Sequence, residues 1–86
     1  PQSCDAGCDG GLMSNAFRWI IKQGAKGIAT EKSYSYRGYD EKCKTSGIVT
    51  GATISNWKML PEDENQIKAY LFTNGPLSVA LNAEQL

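Results

Sequence analysis

Histidine is absent from this 86-residue sequence. That absence removes the side chain most often used as a proton shuttle near neutral pH and the commonest nitrogen ligand for metals. No charge of either sign predominates: nine Lys and Arg offset nine Asp and Glu, and the longest like-charge run is Glu62-Asp63-Glu64. A basic footprint for nucleic acid is therefore lacking, and no nucleic-acid partner is expected. No apolar run approaches the ~20 residues that cross a bilayer, and the start shows no charged-then-apolar leader pattern, so no membrane partner is expected either. Proline is scarce, at three residues, and Pro1 is not an initiator. The abrupt opening Pro1-Gln2-Ser3-Cys4 reads as the start of an internal piece of a longer protein.

At this length the chain is one small domain or part of a larger one. Only about 60% of the unfolded chain's surface could be buried, so a crosslink or a packing partner is needed for stability. Cys4, Cys8 and Cys43 are the three cysteines. An odd count in an oxidising compartment implies one internal bridge and one partner elsewhere. Zinc is the rival use, but three thiols without histidine leave a four-ligand site incomplete, so neither metal nor cofactor is expected.

The most informative stretch is Gly7-Cys8-Asp9-Gly10-Gly11-Leu12-Met13. Paired glycines either make a tight turn or let another chain lie against their backbone, since no Cβ stands in the way. From residue 12 to 23, Leu12, Met13, Ala16, Phe17, Trp19, Ile20 and Ile21 recur three to four apart, which predicts a helix with a broad buried face. Asp9 or Ser14 could cap its start, and Gly24 or Gly27 its end. Residues 28–47, with Tyr34, Tyr36 and Tyr39, show no period and read as a long loop that Cys43 would anchor. Residues 48–57 alternate as a strand through Ile48, Thr50, Ala52 and Ile54. A second helix starts at Leu60-Pro61-Glu62-Asp63-Glu64, where acids suit the helix dipole. It carries a stripe of Ile67, Ala69, Tyr70 and Leu71 and stops at Asn74-Gly75-Pro76. Residues 77–82 alternate as a further strand. The order predicts an α+β protein with a change of domain near Ile54.

The string Gly-Cys-Asp-Gly-Gly-Leu-Met-Ser-Asn-Ala-Phe, with Cys4 four residues before Cys8, resembles the segment after the active-site helix of papain-like cysteine proteases. Tyr34-Ser35-Tyr36, Cys43 and Asn74-Gly75-Pro76-Leu77-Ser78-Val79-Ala80 resemble further landmarks of that family in order, with Ser35 where proline is usual. The details look more like cathepsin L or cathepsin F than cathepsin B. The resemblance implies a papain-like two-domain α+β fold of which this chain is a middle segment. Residues 1–53 would then belong to the left, helical domain and residues 54–86 to the right, β-barrel-like domain.

By the same resemblance Cys4 pairs with Cys43, and Cys8 with a cysteine outside the chain. Closing a loop of about 40 residues would contribute on the order of 4 kcal/mol. The catalytic Cys, His and Asn of such enzymes match nothing here, so no catalytic residue is assigned. Gly10 and Gly11 match the backbone that holds an extended peptide, with Gly11 making antiparallel main-chain hydrogen bonds. Leu12, Met13 and Ala80 match the walls of the pocket for the substrate side chain two positions before the cut, which predicts bulky apolar residues there. For Met13 alone, core packing is the competing reading. Asp9 stands where the family usually has Asn, and its charge would favour basic groups one substrate position further out. Implied partners are a peptide or protein substrate, the remainder of the protease chain, and a propeptide or cystatin-type inhibitors, in a lysosomal or secreted setting. A non-catalytic peptide-binding homologue and a complete disulfide-stapled module are the alternatives.

Overall fold

A computed structural model of the chain describes residues 5–22 and 27–86. It is an α+β arrangement of two helices and a small antiparallel sheet, in the order 3-10 turn (Gly7–Asp9), α1 (Met13–Lys22), β1 (Ile28–Ala29), β2 (Thr50–Ala52) and α2 (Glu64–Asn74). Helix α1 forms where the sequence places it, with Met13, Phe17, Ile20 and Ile21 on one side and Lys22 complementing the dipole in the last turn. Ile20, 7% exposed, is the buried hydrophobic residue among those described. Trp19, expected in the buried face, is 55% exposed.

Neither Asp9 nor Ser14 caps α1. The Asp5 carboxylate takes the Leu12 N–H at 3.0 Å, from seven residues upstream. Of the two glycines expected to end the helix, Gly24 lies outside the described residues. Gly27 serves the sheet instead, since a Cβ there would collide with the carbonyl of Ala52.

Strands β1 and β2 pair antiparallel, Ile28 opposite Ala52 and Ala29 opposite Thr50, with an irregularity between Ile28 and Ala29. The Thr30 N–H continues the ladder to Val49 O at 2.8 Å. The Ser33 hydroxyl then accepts the Val49 N–H at 3.0 Å, substituting for a further rung. The segment read as a wholly irregular loop thus opens with a strand, and the strand expected over residues 48–57 is confined to Thr50–Ala52, as long as its short partner allows. Beyond it, Lys44 steadies the loop through its N–H on the Tyr34 hydroxyl at 2.9 Å and its ammonium on Ser33 O at 2.6 Å.

Helix α2 starts at Asp63, whose Oδ1 accepts from Asn65 N at 2.9 Å and Gln66 N at 3.4 Å. It ends at Gly75, φ 93°, whose N–H reaches Leu71 O at 3.0 Å. Only part of the expected stripe is covered: Ile67 and Tyr70 are half-buried, while Ala69 and Leu71 are exposed. Asp63→Ala is expected to lower stability by about 1 kcal/mol, the usual cost of deleting an N-cap acceptor. Urea denaturation of both forms measures it, and an unchanged midpoint would refute the cap's contribution.

Residues 77–82 do not form a strand. They carry no regular structure and have no pairing partner among the described residues, and a strand needs a neighbour for its backbone groups. The radius of gyration is 15.2 Å, against about 12 Å for a compact chain of this length. The accessible area is 7754 Å², against about 5,000 Å² for a compact monomer of this size.

Candidate functional site

Two aspartates clamp the turn over residues 7–12 from opposite ends. At its start, Asp40 of the tyrosine-rich loop accepts the Cys8 N–H through Oδ1 at 3.3 Å. It stands where a Cβ on Gly7 would go, and Gly7 itself takes φ 58°. At its end, Asp5 Oδ1 accepts the Leu12 N–H and the Asn15 side-chain amide, both at 3.0 Å. The Asn15 amide is oriented in turn by Arg18, whose Nη1 donates to Asn15 Oδ1 at 3.1 Å.

Within the turn the two adjacent glycines are needed for different reasons. Gly10 has φ 104° and ψ −179°, a region essentially reserved for glycine, with open space where a Cβ would project. Its backbone is fully used: the N–H donates to Gly7 O at 3.1 Å and the carbonyl accepts from Ala6 N at 2.7 Å. Gly11 has no positive φ, but a Cβ there would overlap the Asp5 carboxylate. Its N–H and C=O have no partner among the described residues, and the residue is exposed. The pair thus offers one free main-chain donor and acceptor, at Gly11, on a backbone held from both sides.

Past the turn lies a cleft of about 680 Å³. Met13 and Phe17 of α1 line it together with Trp57, Tyr70, Leu77 and Ala80 from the second half of the chain. Met13 and Ala80 therefore face one space, whereas Gly10, Gly11 and Leu12 lie outside its lining. Two cations brace the aromatics: Arg18 sits 5.2 Å from the Trp57 ring centre and Lys58 5.5 Å from that of Tyr70.

Cys8 and Cys43 are exposed; Cys4, the expected partner of Cys43, lies outside the described residues. The Cys8 thiol is pushed above its ordinary range, chiefly by hydrogen bonding to the Asp40 carboxylate, then by desolvation and by that carboxylate's charge. A thiolate is disfavoured there, the reverse of what nucleophilic catalysis requires. Asp5, Asp40, Phe17, Trp57 and Tyr70 are the site residues that the sequence reading did not single out. Phe17 and Tyr70 fell within helical stripes, but neither aspartate carries a local signal, because each acts across 7 or more residues.

Comparison with known proteins adds an independent finding. Residues 2–86 match the family described as papain family cysteine protease. The chain is 48% identical over 81 residues to cysteine proteinase 15A of Pisum sativum, covering 94% of this chain and 22% of that protein. It is 46% identical over 83 residues to a cysteine proteinase of Trypanosoma brucei brucei, covering 93% and 18% respectively. With cathepsin L of Sarcophaga peregrina the identity is 49% over 78 residues, covering 90% of this chain and 22% of the relative. The chain thus spans about a fifth of the length of these relatives.

Proposed function

The chain belongs to the papain family of cysteine proteases, and we propose that it forms part of the substrate cleft of a two-domain cysteine endopeptidase. Residues 1–53 would supply one wall and residues 54–86 the other. The observation that carries this reading is the free N–H and C=O of Gly11, two residues ahead of a cleft with Met13 and Ala80 on its walls. An extended peptide laid antiparallel on Gly11 gains two main-chain hydrogen bonds whatever its sequence. Its next outward side chain then needs an apolar receptacle. Met13 adapts to different shapes and Ala80 leaves room, so Leu, Phe or Val is the preferred occupant two positions before the cut.

The nucleophile, the histidine and the orienting Asn lie outside this chain, which alone does not hydrolyse peptides. Cys4–Cys43 and a bridge from Cys8 to the rest of the protease would tie the clamp in place in an oxidising lysosomal or secreted setting. A bridge at Cys8 also removes the thiol that Asp40 disfavours as an anion.

The test is Ala80→Phe in the complete protein. A ring projecting into the cleft is expected to lower kcat/KM for substrates with Leu or Phe at that position more than about tenfold relative to those with Ala, the scale of a filled apolar pocket. An unchanged preference would remove Ala80 from the pocket. A complete protein that binds peptides without cutting them would instead be a non-catalytic homologue.

A further inference from the structure

We infer that Asp5 is a positioning residue for substrate: its carboxylate fixes the Gly11 backbone in the geometry that accepts an extended peptide. The inference rests on the reading of Gly11 given above and extends it to a residue that would not itself touch substrate. Three observations converge on Asp5. Its Oδ1 holds the Leu12 N–H, immediately after Gly11, at 3.0 Å. The same oxygen takes the Asn15 amide one turn into α1, also at 3.0 Å, so turn and helix are registered through one atom. The carboxylate also fills the space beside the Gly11 Cα where any other residue would place a Cβ.

The consequence for binding is geometric. Leu12 N–H is one of the donors left without an intrahelical partner at a helix start. If it were free, the peptide plane joining Gly11 and Leu12, which carries the Gly11 carbonyl, could rotate. With Leu12 N–H held, that carbonyl is directed away from Asp5. One rotation thus sets both the anchored donor and the free acceptor.

The carboxylate is ionised while it accepts both donors. Hydrogen bonds from the Asn15 amide, and then from Leu12 N–H, hold the Asp5 carboxyl below the ordinary carboxylate range. A depressed folded-state value means that the ionised latch contributes above the unfolded value of about 4 and is lost only as pH falls through the lower, folded one. The latch therefore stays an ionised acceptor in mildly acidic surroundings.

The experiment compares, in the complete enzyme, a peptide substrate with its ester analogue. In the analogue an oxygen replaces the N–H that would pair with the Gly11 carbonyl. The wild type is expected to prefer the amide about tenfold in kcat/KM, the worth of one good hydrogen bond. Asp5→Ala is expected to reduce that ratio towards one, and Asp5→Asn, whose Oδ1 can still accept both Leu12 N–H and the Asn15 amide, to keep it near the wild-type value. Loss of folding stability alone lowers the amount of active enzyme but leaves the ratio unchanged. If Asp5→Ala does not fold, Asp5→Leu serves, because it fills the same space while removing the acceptor of Leu12 N–H and the Asn15 amide, and a ratio near one is expected. A wild-type preference that survives unchanged in Asp5→Ala or Asp5→Leu overturns the role of Asp5 and leaves the Gly11 reading intact. No preference in the wild type overturns both.

Discussion

Heating the isolated 86-residue chain is expected to produce no cooperative unfolding transition, whereas the complete protein melts sharply. The reason lies in how little the chain buries by itself. Its accessible area of 7754 Å² exceeds that of a compact monomer of the same size by roughly half. Phe72 is 92% exposed and Val79 63%. Ordering each residue costs about 1–2 kcal/mol of backbone entropy, and with Ile20 as the buried hydrophobic residue among those described there is little burial to offset it. The helices cannot make up the deficit, since 10 and 11 residues fall below the ~12–15 at which an isolated helix becomes even marginal in water. Scanning calorimetry with near-ultraviolet circular dichroism decides the matter. A sharp heat-absorption peak that coincides with loss of aromatic signal would mean that the segment is an autonomous domain, and the reading of it as part of a larger cleft would lose its physical basis.

The same scarcity of burial explains which features the sequence disclosed. Both helices were legible because their signals are local: apolar spacing in α1, and for α2 an acidic start at Asp63 and a glycine stop at Gly75. Burial along them was less legible. Trp19 and Leu71 lie in stripes that imply a covering partner, and a periodic pattern cannot say whether that partner belongs to the same segment. Strands depend on partners still more. Residues 77–82 alternate as a strand should, yet remain unpaired among the described residues, while β1 is too short to show a period and forms because Thr50–Ala52 lies beside it. The clamp was the least legible feature. Asp5 and Asp40 are ordinary surface acids in the sequence and become structural only when the turn brings Leu12 and Cys8 to them. The glycine pair was visible from the start, but the division of labour between its members was not: dihedral angle at Gly10, space at Gly11.

That division leads to the largest expected effect of a single substitution. Gly11→Val in the complete enzyme is expected to lower kcat/KM for peptide substrates by on the order of 100-fold, since displacement of a binding group by about 1 Å can cost that much. The valine Cβ would overlap the Asp5 carboxylate, so either the latch on Leu12 opens or the backbone moves away from it. Both responses shift the N–H and C=O offered to substrate. Gly10→Ala provides the contrast. Space is open at Gly10, but φ 104° with ψ −179° is strained for alanine by about 1–3 kcal/mol. Its backbone groups already serve Gly7 and Ala6 rather than a ligand. The two substitutions should therefore separate by readout, Gly10→Ala in the denaturation midpoint and Gly11→Val in kcat/KM at full occupancy of the folded state. If folded Gly11→Val enzyme cut peptides at close to the wild-type rate, substrate would have to be held elsewhere, and the free donor and acceptor at Gly11 would be incidental to binding.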